Sequence, residues 1–341
     1  MLPSWLLTPL SWVKRGVKLP LVLSALLLFS LRPYFVAPII PSPSSAVEIY
    51  SNQTFHDLQK TVYYPIEKAT KSILVSTFGE FEPELMALLK KRAEEGIKVF
   101  AHYDAKSFPK LEEKTLGFPS KGHRVSGLMH QKVLIVDESF VYLGSTNFTM
   151  ASYKMHDNLL VGFFSPSLAE KIRLQLEDPA YPFLIEEDFP SGRFCFFSLP
   201  GQKRAALNSL VSSINNAKES IQCHIFTFTH LKLCDALVSA LRRNVRVEVT
   251  IDKKSRKGAS KQVIELLSKN GAIIRENNHQ GLMHHKMCLI DEEIFYFGSA
   301  NWTKSAFEKN RDYLVRLDHL SGSLKPQLIE LFEKAKKFQK P

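Results

Sequence analysis

The chain has 341 residues, with 45 lysines and arginines against 34 acidic side chains and a formal charge of +11. That length allows two compact units, each able to bury a core of its own. With 45% hydrophobic and 23% charged residues, the composition excludes a disordered, collagen-like or polytopic membrane chain. The basic excess points to an anionic partner without choosing among nucleic acid, lipid headgroup and membrane surface.

Lys14, Arg15 and Lys18 precede an apolar stretch over residues 19–31. As a helix it would cover roughly 20 Å, short of the ~30 Å hydrocarbon core. A basic flank before a short apolar run fits either an export signal or an uncleaved signal-anchor. The small-x-small site Ser44-Ser45-Ala46 lies far from the run, which favours the anchor, with the catalytic part outside the cytoplasm. A buried amino-terminal helix is the remaining alternative. Residues 1–46 are therefore set apart as a targeting segment followed by a Pro/Ser-rich linker.

Beyond it, residues 72–78, 83–95 and 97–104 read as strand, helix and strand. Residues 220–228, 231–243 and 245–252 read the same way, displaced by 148 positions at the strand ends Asp104 and Asp252. Prolines and an acidic cluster near 177–192 read as a linker between the halves. The expected division is a first domain over 47–176, a linker over 177–193 and a second domain over 194–341. Alternating strands and helices make each half an α/β sandwich. A basic run, Lys253 to Lys257, follows a strand end and is either a solvated loop or a charged lip. Residues 328–338 form an amphipathic terminal helix, read as core packing before membrane docking. Cys195, Cys223, Cys234 and Cys288 form no C-x-x-C pair and read as buried hydrophobes.

The repeat is sharpest downstream of each strand–helix–strand unit. GLMHQKVLIVD at 127–137 returns as GLMHHKMCLID at 281–291, and GSTNFT at 144–149 returns as GSANWT at 298–303. The offset is 154 throughout: 130 to 284, 132 to 286, 137 to 291 and 147 to 301. Both copies read H-x-K-x4-D-x6-G-S-x-N. Six fixed positions arise by chance on the order of 10⁻⁸ times per start site at ordinary residue frequencies. On a strand, His130 and Lys132 project from one face, as do His284 and Lys286, while His285 points away. Asp137 and Asp291 fall at the turn into the next strand and read as turn organisers. Ser145, Asn147, Ser299 and Asn301 can bond a ligand or cap a turn.

Two histidines, two lysines and paired hydroxyl and amide donors suit phosphodiester cleavage without a metal. Lysines and neutral donors hold the non-bridging oxygens. One imidazole attacks phosphorus to give a phosphohistidine, and the other protonates the leaving alcohol and then activates water. Two lysine cations would be unwelcome beside a metal ion.

These paired motifs resemble the phospholipase D superfamily over roughly residues 50–320. The resemblance implies a two-domain α-β-α sandwich with mixed central sheets and one active site at a pseudo-two-fold interface. It also implies a phosphohistidine intermediate and no cofactor or metal. Both motifs lie in one chain, so no oligomer is required. The catalytic residues carried over are His130, Lys132, Asn147, His284, Lys286 and Asn301, with Ser145 and Ser299 in support. Family members usually bond an acidic residue of the next strand to the imidazole. That position holds Asp312 in repeat two and Asn158 in repeat one. If each serves its own repeat, Asp312 raises the pKa of His284, making His284 the general acid and His130 the nucleophile. Asp157 in a shifted register would remove the asymmetry, and a carboxylate could equally orient a nucleophile.

The substrate expected first is a glycerophospholipid whose headgroup is hydrolysed or transferred at a membrane. Nucleic acid is the alternative phosphodiester, approached through the basic run. A catalytically silent membrane-tethered scaffold is the third reading, disfavoured by two intact motifs.

Overall fold

The computed structural model describes residues 38–341 except 110, 112, 179–183, 278–279, 338 and 341. The expected anchor at 19–31 and Phe338, the last residue of the expected terminal helix, therefore lie outside the described residues. Among the described residues, no helix is long and apolar enough to cross a membrane.

Two mixed sheets build the fold. The first comprises β1 (Val47–Ser51), β2 (Ser72–Thr77), β3 (Lys98–Asp104), β4 (Ser120–His123), β5 (Val133–Val136), β6 (Phe140–Gly144) and β7 (Leu159–Phe164), ordered β1-β7-β6-β5-β2-β3-β4. The second comprises β8 (Ile185–Phe189), β9 (Gly192–Leu199), β10 (Ser220–Ile225), β11 (Arg246–Ile251), β12 (Ile273–Asn277), β13 (Lys286–Ile290), β14 (Ile294–Gly298), β15 (Asp312–Asp318) and β16 (Gln339–Lys340). Its order is β16-β12-β11-β10-β13-β14-β15-β9-β8. Without the edge strands β8 and β16, the two orders superimpose strand for strand. In each sheet the strand–helix–strand unit is parallel (β2 with β3, β10 with β11) and the motif strands are antiparallel hairpins.

Local chemistry sets these elements. The crossover helix Pro83–Glu94 starts on a proline, and the Glu82 side chain accepts from the Glu84 and Leu85 N–H groups. Its counterpart Leu231–Arg242 buries Leu233, Leu237 and Ala240 at helical spacing. β5, with sequence VLIV, is buried on both faces. Alternate residues serve different layers: Val133 and Ile135 join one core, Leu134 and Val136 another. The first of these is shared, because Met287, Leu289, Phe295, Phe297, Val315 and Leu317 of the second sheet lie in it too. Leu328, Leu331 and Phe332 of the terminal helix Leu324–Lys337 complete it. This common layer holds residues 39–341 together as one compact unit.

The segment expected as a linker differs. Residues 185–189 form β8, an edge strand antiparallel to β9. Its acidic residues fit an edge, where Glu186 and Asp188 are exposed and Glu186 pairs with Arg193. All four cysteines are buried and free, as their residue type suggested.

Candidate active site

The hairpin turns after the motif strands fix one end of each motif. Asp137 and Glu138 have φ of 51° and 57°, Asp291 and Glu292 51° and 54°, so each three-residue hairpin loop turns on two consecutive left-handed residues. Asp137 accepts from the Thr70, Lys71 and Ser72 N–H groups, and Asp291 from those of Lys218, Glu219 and Ser220. Burial pushes the Asp137 carboxyl up, but these backbone bonds outweigh it and hold the pKa low. Both aspartates therefore anchor the turns and stand apart from the reacting groups.

The histidines and lysines sit at the other end of the same strands. His130 is 7% exposed, His284 6%, Lys132 1% and Lys286 2%, a site largely withdrawn from water. Each lysine folds back on its own motif: Lys132 Nζ donates to the His130 carbonyl at 2.6 Å and Lys286 Nζ to the His284 carbonyl at 2.8 Å. Gly144 and Gly298 are required where the Gly-Ser-x-Asn segments pass the next strand. A Cβ there would lie 2.1 Å from the Leu159 carbonyl oxygen and 2.4 Å from that of Tyr313. Asn147 and Asn301 follow, each with a buried Oδ1 that has no hydrogen-bond partner among the described residues. His285 points away from the site, buried against Gln53 Oε1 at 2.8 Å.

The partner of each imidazole corrects the expectation that the strand residue serves its own repeat. His130 Nδ1 lies 2.9 Å from Asp312 Oδ1, and His284 Nδ1 lies 3.0 Å from Asn158 Oδ1. The halves exchange partners because their backbones do. Arg311 N donates to the Leu128 carbonyl and His130 N to that of Arg311. Reciprocally, Asp157 N donates to the Leu282 carbonyl and His284 N to that of Asp157. The inference that Asp312 makes His284 the more readily protonated histidine is thereby overturned. Asp157, the alternative in a shifted register, lies in this backbone bridge.

Both acceptors are held firmly. Asp312 Oδ1 also accepts from Ser299 Oγ at 2.6 Å, and Oδ2 from Asn310 Nδ2 at 3.1 Å. Ser299 Oγ accepts from Tyr313 N, which leaves its proton for the carboxylate. In the other half, Ser145 Oγ accepts from Leu159 N and donates to Asn158 Oδ1, while Asn158 Nδ2 donates to the Ser152 carbonyl. Asn158 therefore presents its oxygen to His284. Each ring must carry its proton on Nδ1, which leaves Nε2 for chemistry.

Electrostatics distinguish the two rings. Burial, then Lys132, lowers the His130 pKa, and Asp312 opposes them. His284 falls well below its ordinary value through burial and then Lys286, Lys132 and His130, with no carboxylate in opposition. Burial brings Lys132 down to about 7 and, with Lys132 nearby, puts Lys286 well below its usual value. Burial would raise Asp312, but the charges of His130 and Lys132 and the Ser299 bond outweigh it.

Three functional residues escaped the sequence reading. Asp104 and Asp252 end β3 and β11, and their Oδ2 atoms accept from Met129 N at 2.6 Å and Met283 N at 3.1 Å. They fix the backbone just before each motif histidine, and their recurrence at equivalent strand ends was the available signal. Tyr313 reaches from the second sheet to accept from Gly144 N and donate to the Lys132 carbonyl, both at 2.7 Å. It has no counterpart, since repeat one holds Leu159 there.

A family described as cardiolipin synthase, phospholipase D-like domain, matches residues 64–178 and 210–336. The mitochondrial cardiolipin hydrolase of Xenopus laevis is 32% identical over 114 residues, 33% of this chain and 54% of that protein. The chain thus spans about half the length of this curated relative. The minor cardiolipin synthase ClsB of Bacillus subtilis is 22% identical over 307 residues, 77% of this chain and 75% of that protein. The phosphatidylserine synthase structure from Haemophilus influenzae shares the fold, with a TM-score of 0.70 at 12% identity over 89% of each chain. The chain belongs to the phospholipase D-like family that includes the cardiolipin synthases, with the family's domain matched once in each half.

Proposed function

We propose that this protein is a metal-independent phospholipase D-type phosphodiesterase acting on a glycerophospholipid of the cardiolipin class. The observation that carries the reading is the pair of imidazoles, each tied through Nδ1 to a fixed acceptor and flanked by a buried lysine. The relatives named as cardiolipin hydrolases and a cardiolipin synthase support the lipid class.

In this mechanism Lys132, Lys286, Asn147 and Asn301 bind the non-bridging phosphate oxygens and stabilise the charge that builds on them. His130 Nε2 forms a bond to phosphorus as the bond to the leaving oxygen breaks. Asp312 then faces the positive ring of the phosphohistidine and stabilises it. His130 therefore remains the nucleophile, with Asp312 as its orienting carboxylate. His284 gives its Nε2 proton to the leaving oxygen, then takes a proton from the water or alcohol that displaces His130. The bound phosphodiester anion offsets the lysine charges that otherwise keep His284 unprotonated.

The test offers the full-length protein, in detergent, cardiolipin and phosphatidylcholine vesicles and single-stranded DNA, beside His130→Ala and His284→Ala. Headgroup release abolished in both variants is the expected result. DNA cleavage lost in both variants, with no product from either lipid, would overturn the lipid reading in favour of a nuclease. Radiolabelled phosphoenzyme that survives His130→Ala but not His284→Ala would reverse the assignment of roles.

A further inference from the structure

Two phenylalanines outside the motifs stand in matching places in the two halves. Phe78 follows β2 and Phe226 follows β10, at the 148-residue offset of those strands. Both are half-buried. The Phe78 ring meets His130 at a centroid distance of 5.1 Å and an interplanar angle of 63°, and Phe226 meets His284 at 5.0 Å and 59°. The same rings lie under the lysines: Lys132 Nζ is 5.3 Å from the Phe78 centroid and Lys286 Nζ 5.0 Å from that of Phe226. Phe228, two residues beyond Phe226, packs on Trp302 and belongs to the core.

A buried ammonium needs compensation, yet a carboxylate placed against it would cancel the charge that the phosphate requires. A phenyl face resolves that conflict. Its quadrupole attracts the cation but takes up no N–H, so donors not used on the backbone carbonyl remain for the substrate. The rings also limit rotation of the adjacent imidazoles about the single Nδ1 bond that holds each.

We propose that Phe78 and Phe226 are paired positioning residues, each holding its lysine as an unneutralised cation through its face and fixing the neighbouring imidazole plane. The proposal rests on the phosphodiesterase reading but not on the identity of the alcohol.

The test replaces Phe78 in the full-length protein by mono-, di- and trifluorophenylalanine, which drains charge from the ring face while nearly preserving its shape. Two readouts are taken: kcat/KM for bis(p-nitrophenyl) phosphate, and affinity for tungstate as a phosphate-like anion. Both should fall stepwise along the series, by about three- to thirtyfold in total. Phe78→Leu should fall as far with the alkaline limb of its pH profile displaced downward, and Phe78→Tyr should recover both readouts. The same series at Phe228 should leave them unchanged. A flat series at Phe78, or equal losses at Phe228, would overturn the proposal. Tungstate affinity tests the lysine environment even if no substrate is turned over, so failure of the phosphodiesterase reading is recognised separately.

Discussion

Asp312 and His130 stand 182 residues apart in the chain and 2.9 Å apart in the site. Each half thus supplies an imidazole and the other half supplies its acceptor, a carboxylate for His130 and an amide for His284. The assignment of His130 as nucleophile makes these acceptors unequal in a testable way. Asp312→Asn removes the charge that balances the phosphohistidine, and kcat should fall about 10²- to 10⁴-fold, in the range for disabled acid–base groups. Asn158→Asp should spare most of kcat. It also turns a carboxylate towards the Ser152 carbonyl in place of an amide donor, at a cost of about 1–3 kcal/mol in stability. Single-turnover kinetics and urea denaturation of both variants separate the effects, and equal loss of kcat in both would contradict the asymmetry.

The pH dependence follows from the direction of the shifts. In the free enzyme His284 is pushed well below its ordinary value, and Lys132 down to about 7. Raising the pH removes the proton of the general acid well before neutrality and the Lys132 charge around pH 7, so kcat/KM should already fall on the acid side of neutrality and continue to fall above it. A bound diester anion favours the charged forms, which moves the alkaline limb of kcat upward by about one unit or more. Separate pH profiles of kcat and kcat/KM check this. Coincident limbs would mean that the anion does not sit between the lysines.

The residues proposed to do the chemistry were legible because their identities recur at a fixed offset. His130, Lys132 and Asn147 each have a counterpart of the same type 154 residues later. The exchange of partners was not legible, since an offset relates a residue to its counterpart and not to what it touches. That contact is set by the way Arg311 and Asp157 join the opposite motif loops through their backbones. β8 was missed for another reason. Its sequence IEEDF is acidic because an edge strand presents charge to water, the same composition that marks a loop.

Tyr313 breaks the pseudo-symmetry and has a measurable role. β5 pairs with β6 as far as Val133 and Leu143, and at the next position the Tyr313 hydroxyl bridges Gly144 N and the Lys132 carbonyl. Tyr313→Phe leaves two buried backbone groups unpaired at the start of the motif strand β5. Stability should drop by about 1–3 kcal/mol, read from the urea midpoint. Its kcat should drop as well, because the backbone that carries Lys132 loses its tether. Unchanged kcat alongside reduced stability would make Tyr313 a fold residue only.

A buried cluster of two neutral histidines and Arg311 predicts how the fold fails in acid. His102 Nδ1 lies 2.8 Å from His123 Nε2, and His123 Nδ1 lies 2.7 Å from Arg311 Nη1. Arg311 also donates to the Gln175 and Leu176 carbonyls at the end of the helix Pro166–Glu177, where the helix dipole favours a cation. Burial first, then the neighbouring positive groups, brings His102 down to about 3 and His123 to about 4, from an ordinary 6.5. Between the folded and ordinary values the unfolded chain binds more protons than the native one. Stability is therefore fully present above pH 6.5 and is lost as pH falls towards 4 and then 3. The slope is at most about 1.4 kcal/mol per pH unit for each histidine. The second repeat holds Thr250 and Asn277 at the corresponding positions, both buried, so His102→Thr with His123→Asn preserves a polar interior while removing both titrations. Urea midpoints measured from pH 7 to pH 4 should fall steeply in the parent and less steeply in the double variant. Parallel slopes would place the acid sensitivity elsewhere in the fold.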